Sequence, residues 1–405
     1  MIGDPARARV EPGLSGRALF TLWLTVCLDM VGFGIILPVL PFHAERFGAT
    51  PAAIAYLAAA FSLAQLVAAP LLGRLGDRVG RRPVLLLSIA GSCASMLLLA
   101  VANDLAWLFV ARLCAGACGA KVPTAQAYVA DRCAPERRAK ALGRVGSAIG
   151  VGFVLGPAIG ALLTTPSWPA LPFVAAAGLS VCNWVLAFVW LPEARNARAR
   201  PTPRGPRATL RRSPVLALIG LNLGLFVAFA GMESTFALLL EARLGWGASE
   251  VGLLFTLIGV TIVLSQGVVV GRVVARLGER GTLRVGLVVL SLGLAGLGAA
   301  SHAPSLIVAA CAVALGNGLV SPSLSALISQ GTEPSRQGAT LGLASAAASL
   351  GRVLGPVGAG SAFELLGPGS PALLGAGVTL VMLACTGARL RGQDQATASS
   401  PRSGS

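Results

Sequence analysis

The chain has 405 residues, of which 55% are hydrophobic and only 12% are charged, and its mean hydropathy is +0.77. Soluble domains carry roughly 25% charged residues, so this composition excludes an ordinary soluble protein and predicts a polytopic membrane protein. The net charge is +16, but the basic residues fall between apolar segments rather than in one block, which argues against nucleic-acid binding.

Twelve apolar segments are long enough to cross a bilayer as helices, which need about 20 residues each. Their predicted ranges are 18–40, 51–72, 84–102, 105–129, 141–164, 170–191, 214–240, 250–271, 282–301, 304–329, 339–363 and 371–388. Residues 1–17 form a polar cytoplasmic segment without a cleavable signal, and 192–213 is rich in Pro and Arg. We therefore predict an all-α membrane protein with two six-helix bundles, 18–191 and 214–388. A cytoplasmic linker, 192–213, joins them, and a disordered cytoplasmic tail, 389–405, follows.

The basic residues predict the orientation of the spans. With a cytoplasmic N-terminus, 27 of the 32 Lys and Arg lie on the cytoplasmic side, two lie outside and three lie within spans. Cytoplasmic loops of membrane proteins carry such an excess of Lys and Arg. We therefore predict a multi-pass protein of the inner cell membrane with both termini in the cytoplasm.

A charged stretch, 73–83, lies between the second and third apolar segments. Its eleven residues include four arginines, one aspartate and three glycines. So much charge cannot lie in hydrocarbon, so we predict a short, tight loop at the membrane surface, with Pro83 in the first turn of the next helix. The candidate residues of this switch loop are Gly73, Asp77, Arg78, Gly80, Arg81 and Arg82, together with Asp131 at the end of the fourth span.

The two halves of the chain repeat each other. A shift of 198 residues aligns 73–82 with 271–280, and a shift of 199 aligns Gly156-Pro157 with Gly355-Pro356. Two parallel six-helix repeats place a central cavity at their interface, where alternating access can operate. A channel or an intramembrane enzyme does not require this arrangement, so the repeat favours transport.

These motifs resemble the major facilitator superfamily. Residues 73–83 are similar to its G-x-L-(a)-D-(r)-x-G-(r/k)-(r/k)-P loop signature, and Arg112 with Gly116 and Asp131 resembles its fourth-helix pattern. The opening residues 28–41 are similar to the first helix of twelve-helix drug/proton antiporters, the tetracycline exporters especially. The resemblance implies a major-facilitator fold with 12 transmembrane helices in two pseudo-symmetric bundles. It also implies that Asp77, Arg81 and Asp131 form a charge cluster that latches the halves.

The fifth span is rich in glycine, and it resembles a signature associated with proton-coupled antiporters. The residues that carry this resemblance are Gly146, Gly150, Gly152, Gly156, Pro157 and Gly160. Gly152, Gly156 and Gly160 share one helix face, which permits close helix approach, and Pro157 favours a bend. The resemblance implies a flexible, leak-tight contact between the halves, and ordinary tight packing is the alternative.

Two carboxylates lie deep within predicted spans. Asp29 is about halfway along the first span, and Glu233 is near the middle of the seventh. Intramembrane carboxylates usually mark ion or substrate paths, so we predict proton carriers or sites for a cationic substrate. The alternatives are a buried structural hydrogen bond for Asp29 and, for Glu233, pairing with Lys121 or Arg112.

Two bases share the fourth span. Arg112 and Lys121 are nine residues apart, which on a continuous helix separates them by about 13 Å and points them to roughly opposite sides. The resemblance implies that Arg112 lies near the proton site and tunes its acid. Lys121 departs from the family pattern, and it either binds an anionic substrate or pairs with Asp29 or Glu233.

The chain also departs from the tetracycline exporters. Ser95 and Leu290 stand where those exporters carry acids, and Ile262 stands where they carry a histidine, although Gln266 is retained as a candidate site residue. These departures argue against tetracycline as the substrate. They leave Asp29, Glu233 or both as the coupling acids.

The predicted function is secondary active transport, with export of an amphiphilic, drug-like molecule in exchange for protons. A proton-coupled importer of a small metabolite is the alternative, and an intramembrane enzyme or a scaffold is more distant. The sequence contains no G-x-x-x-x-G-K-[ST] loop, so ATP is not the predicted energy source. Eight cysteines without a CxxC pair predict neither disulfides nor a metal site. We expect no cofactor, a monomer, and a small-molecule substrate, protons and the lipid bilayer as partners.

Overall fold

The computed structural model describes residues 16–133, 135–192, 214–333 and 336–398, which form helices and turns without a strand. The helices are α1 (Gly16–Glu45), α2 (Pro51–Val79), α3 (Arg81–Val101), α4 (Leu105–Ala117), α5 (Lys121–Arg132), α6 (Pro135–Leu163), α7 (Leu171–Trp190), α8 (Pro214–Leu244), α9 (Ala248–Leu264), α10 (Val270–Ala299), α11 (Ala303–Gln330), α12 (Gln337–Leu366) and α13 (Ser370–Ala398). A π-helical turn, Ser265–Val269, connects α9 to α10. The all-α membrane fold predicted from the sequence is confirmed.

The apolar helices account for the predicted spans. Among the described residues, nine helical stretches are long and apolar enough to cross a membrane. One of them, Ala248–Ala299, has 52 residues, enough for two spans, and it is interrupted at Gly278, whose φ is 67°. Counting this stretch as two spans gives ten. The Gly- and Ser-rich α12 and the shorter apolar stretch Ser370–Thr386 supply two more, which is consistent with the predicted twelve spans.

The predicted loop 73–83 is much shorter than expected. Helix α2 continues to Val79 and α3 begins at Arg81, so Gly80, with φ 104°, is the one residue between them. Gly278 is the equivalent residue under the 198-residue shift, and it also has a positive φ. Only glycine adopts this backbone readily, so a single glycine at each repeat reverses the chain while the charged residues remain helical.

The fourth predicted span is not one continuous helix. Helix α4 ends at Ala117 and α5 begins at Lys121. The ring of Pro123 is incompatible with a helical carbonyl four residues earlier, at Gly119. That carbonyl instead accepts a hydrogen bond of 2.7 Å from the Gln65 side-chain amide. Arg112 and Lys121 therefore lie on different helices, not on the continuous helix for which their separation was calculated.

Contacts between residues divide the chain into two compact units. The first unit comprises Met1–Val39 and Ala64–Thr202, and the second comprises Leu40–Leu63 and Pro203–Ser405. The boundary at Thr202 falls in the predicted linker, whose residues 193–213 lie outside the described residues, as do 1–15. Helix α13 runs to Ala398, so 389–398 is helical where a disordered tail was expected. Ala, Arg, Leu and Gln in this stretch are good helix formers, which accounts for the difference.

The second unit includes the end of α1 and the beginning of α2. The Ala52 amide donates to Oε1 of Glu364 at 2.9 Å, and the Tyr56 and Ser361 hydroxyls are 3.2 Å apart. A Cβ on Gly360 would lie only 2.8 Å from the Ala52 Cα, so the glycine permits this close approach of α12 to α2. Segment Leu40–Leu63 is thus held by α12 through backbone and side-chain contacts.

The same segment carries a hydrogen bond between two carboxyl groups. Glu45, the last residue of α1, is hydrogen-bonded through its side chain to that of Glu241 on α8. Two ionised carboxylates are both acceptors, so a hydrogen bond between them requires a proton on one of the two.

Candidate functional site

The first unit holds a charged pair inside the membrane-spanning region. Lys121 Nζ forms an ion pair with Asp29 Oδ1 and also donates to the Ser92 hydroxyl. The Lys121 side chain is 5% exposed and that of Asp29 is 18% exposed. The sequence left Asp29 and Glu233 as possible partners of Lys121, and in the structure Lys121 contacts Asp29. The pair joins α1, α3 and α5.

The break between α4 and α5 places Lys121 at this site. Lys121 is the first residue of α5, directly after the irregular residues 118–120. A Cβ on Gly119 would lie 2.9 Å from Nε2 of Gln65, so only glycine leaves room for the amide that binds its carbonyl. Polar side chains re-satisfy freed backbone groups in this way when a membrane helix is interrupted.

The second unit contains the other intramembrane acid and a base that the sequence interpretation had not assigned to it. Glu233 on α8 interacts electrostatically with Arg352 on α12. The Arg352 guanidinium lies 4.9 Å from the centre of the Phe226 ring, and its Nη2 is 2.9 Å from the Ser349 hydroxyl. Pairing with Lys121 or Arg112 was the alternative considered for Glu233. Lys121 forms its ion pair with Asp29, and Arg352 interacts with Glu233.

A signal for Arg352 was present in the sequence. It is one of three bases deep within predicted spans, and it lies between Gly351 and Gly355 on α12. A Cβ on Gly351 would lie 2.8 Å from the Leu223 carbonyl, and one on Gly355 would lie 2.9 Å from the Gly231 nitrogen. The two glycines thus bring α12 against α8, where Glu233 is located.

The glycine face of α6 makes the same type of contact in the first unit. A Cβ on Gly156 would lie 2.7 Å from the Gly34 Cα, and one on Gly160 would lie 3.3 Å from the Ile35 Cα. A Cβ on Gly152 would lie 2.6 Å from the Cys27 carbonyl, whereas one on Gly146 would meet no atom within 4 Å. These close contacts are with α1 of the same six-helix half, which is the ordinary tight packing given as the alternative. Helices α1 and α6 meet because both lack side chains where they cross.

Pro157 and Gly150 complete the glycine-rich motif on α6. Pro157 lies inside the helix, and its Cδ would be 2.7 Å from a Cβ on Gly34. Gly150 lies on the same helix, four residues after Gly146.

The charged residues of the switch loop come together around Arg81. Its Nη2 lies 2.5 Å from Asp77 Oδ1, and its Nε lies 3.1 Å from Asp131 Oδ2. Its Nη1 donates to the Gly73 carbonyl at 3.3 Å, so one guanidinium joins α2, α3 and α5. Arg82 instead donates to the Phe188 carbonyl at 2.6 Å.

The remaining candidates occupy separate places. Arg112 is buried on α4, and Arg78 is exposed near the end of α2. Gln266 is exposed in the π-helical turn, where Ser265 donates to the Leu315 carbonyl at 3.3 Å. Such turns within α-helices are frequent at functional sites.

The comparison with known proteins identifies the family. A family model described as Major Facilitator Superfamily matches residues 22–243 and again residues 221–404. The chain belongs to the major facilitator superfamily. As a member of this superfamily it is a membrane transporter rather than an enzyme.

Relatives of this major-facilitator transporter cover most of its length. Tetracycline resistance protein, class D, of Salmonella ordonez is 34% identical over 353 residues, which is 84% of this chain and 88% of the relative. Multidrug resistance protein 1 of Bacillus subtilis (strain 168) is 28% identical over 352 residues, which is 85% of this chain and 90% of the relative.

Solved structures share the fold. The human organic anion transporter MFSD10 aligns with a TM-score of 0.70 at 24% identity, covering 91% of this chain and 99% of MFSD10. The nucleoside transporter NupG aligns with a TM-score of 0.71 at 13% identity, covering 92% of this chain and 98% of NupG. These likenesses show the major-facilitator fold.

Proposed function

We propose that this transporter exports amphiphilic, drug-like molecules in exchange for protons by alternating access. The observation that carries the proposal is that each unit places one intramembrane acid near one intramembrane base. Asp29 forms an ion pair with Lys121, and Glu233 interacts electrostatically with Arg352. The relatives named for tetracycline and multidrug resistance support export of drug-like compounds.

The two pairs provide a means of coupling. A proton on Asp29 removes the negative charge that faces Lys121, and a proton on Glu233 does the same for Arg352. A base left without its acid is costly within the membrane, so protonation changes the relative free energies of the conformations. A proton that binds one conformation better than the other shifts their equilibrium, which is the requirement for antiport.

The proposal is tested in everted membrane vesicles with an imposed acid-inside gradient. Addition of ethidium, an amphiphilic cation, is expected to dissipate the gradient as substrate enters and protons leave. Asp29→Asn and Glu233→Gln should each slow this response by about tenfold or more, which corresponds to about 1.4 kcal/mol in the coupled step.

Glu333→Gln is the matched control, because Glu333 forms a surface ion pair with Arg336 and its side chain is 70% exposed. Its response should equal that of the unmodified protein. Substrate and protons moving in the same direction would instead identify an importer and overturn the export proposal.

We also propose that the protein is a monomer of the inner cell membrane with both termini in the cytoplasm. The distribution of Lys and Arg supports this orientation, with 27 of 32 on one side. A fluorescent protein fused at the C-terminus should fluoresce and an alkaline phosphatase fusion should be inactive. Light scattering of the purified protein should give the mass of one chain.

A further inference from the structure

The second unit contains a large groove that includes none of the four residues proposed for coupling. It has a volume of about 1030 Å³ and lies between α8, α11 and α13, with Arg280 of α10 at its edge. Its walls are mainly apolar, and they include Leu218, Leu221, Leu327, Leu374, Val378 and Val381. Neither Glu233 nor Arg352 lines it, so it is distinct from the proposed coupling site.

The groove opens to the surroundings along α13. Leu374 is 53% exposed and Val381 is 63% exposed. Lining residues extend from Leu373 to Thr386, which is about 20 Å along a helix at 1.5 Å per residue. This exceeds half of the roughly 30 Å hydrocarbon thickness, so a long acyl chain can lie along the groove.

One end of the groove is basic. Arg280 lines it, and Arg284 lies one helical turn further on α10 and donates to the carbonyl of the lining residue Thr386 at 3.2 Å. The Arg284 Nε is buried and makes no hydrogen bond within the described part of the chain. Other lining residues at this end are Val215, near the start of α8, and Gln330, at the end of α11.

Arg280 and Arg284 lie on the side of the membrane that the charge distribution predicts to be cytoplasmic. Juxtamembrane clusters of Arg attract anionic lipids, and basic pockets between transmembrane helices bind anionic headgroups.

We infer that this groove binds a phospholipid with an anionic headgroup, its acyl chain along α13 and its phosphate at Arg280 and Arg284. A small soluble anion would make no favourable contact with the long apolar walls. A soluble protein partner is disfavoured because the groove is lined by helices that are predicted to span the membrane. The combination of an apolar channel with a basic end matches the two parts of an anionic phospholipid.

The test is direct lipid binding to the purified full-length protein, with phosphatidylglycerol and phosphatidylcholine as probes in native mass spectrometry. Phosphatidylglycerol should bind more tightly than phosphatidylcholine. Arg280→Gln and Arg284→Gln should each weaken phosphatidylglycerol binding by about fivefold, as expected for about 1 kcal/mol per surface arginine. Arg276→Gln is the control, because Arg276 is exposed on α10 but does not line the groove.

A second variant tests the apolar part of the groove. Gly377 lines it, and a Cβ there would meet no atom within 4 Å, so Gly377→Phe fills the groove without a clash at the backbone. This variant should reduce phosphatidylglycerol binding by tenfold or more. Gly358→Phe is its control, because Gly358 also has free space but lies outside the groove.

Three outcomes would overturn the inference. Equal binding of the two lipids would show that the headgroup charge is not recognised. Loss of binding in the arginine variants but not in Gly377→Phe would show that the groove does not hold the chain. Competition by glycerophosphate as strong as that by the intact lipid would identify a simple phosphate site. If Arg284→Gln fails to fold, the exposed Arg280 and Gly377 variants decide the question.

Discussion

At the level of residues, one lysine and one aspartate of the first unit form an ion pair. Lys121 and Asp29 are mostly buried and contact each other directly. Buried ion pairs contribute little net stability compared with apolar residues, but removing one partner leaves the other charge unpaired. The pair is therefore expected to behave as a unit under mutation.

Lys121→Met tests this interdependence. The variant should lose roughly 3–5 kcal/mol of stability because it removes one partner of a mostly buried ion pair. The double variant Asp29→Asn with Lys121→Met should recover most of the loss, as measured by thermal unfolding in detergent. Full stability of Lys121→Met alone would contradict a charged pair.

At the level of helices, both six-helix halves use the same crossing. Gly156 of α6 contacts Gly34 of α1, and Gly355 of α12 contacts Gly231 of α8. The 199-residue shift that aligns Gly156 with Gly355 was visible in the sequence. The repeat thus preserves the way in which the first and fifth helices of each half approach each other.

Gly156→Ala tests the crossing. The added Cβ would lie 2.7 Å from both the Gly34 Cα and the Val31 carbonyl, so the helices must move apart. We expect a loss of about 1–3 kcal/mol in thermal unfolding, as is usual for overpacking. Gly146→Ala, on the same helix but with free space around it, should be neutral or slightly stabilising. Equal destabilisation by both would mean that the effect does not arise from the crossing.

At the level of the whole molecule, we predict that the contact between the Glu45 and Glu241 side chains depends on pH. The hydrogen bond needs a proton, so the contact is stabilised at low pH and is lost as the pH rises and that proton leaves. Other charges nearby are engaged elsewhere: Arg243 donates to carbonyls at the end of α10, including Gly298 at 2.6 Å. Glu364 is also engaged, because its Oε1 accepts a hydrogen bond from the Ala52 amide at 2.9 Å.

Spin labels at exposed positions 46 and 242 can measure this contact. The distance should lengthen as the pH rises in the unmodified protein. Glu241→Gln supplies an amide donor that needs no proton, so its distance should not change with pH. A pH-dependent distance in Glu241→Gln would assign the change to another group.

Asp77→Asn tests switching between conformations. Asp77 and Asp131 both bind Arg81, so the variant weakens a cluster that joins three helices. Ethidium transport in vesicles should slow severalfold, whereas ethidium binding to the purified protein should stay nearly unchanged. Equal loss of transport and binding would place Asp77 in the substrate site instead.

The sequence by itself determined the features that depend on local chemistry. Runs of about 20 apolar residues predicted where the membrane helices lie, since each helix must satisfy its own backbone in lipid. Repeated glycines predicted the two halves and the close helix crossing. Isolated acids within spans predicted Asp29 and Glu233 as candidate coupling residues, because charge in hydrocarbon is costly.

Only the tertiary structure decided which residues meet. The rotation and axial position of each helix depend on packing with its neighbours, and hydropathy does not encode them. The break before Lys121 aligns that residue with Asp29, and the glycines of α12 bring Arg352 near Glu233. The groove beside α13 arises for the same reason, because it is formed by three helices that are distant in sequence.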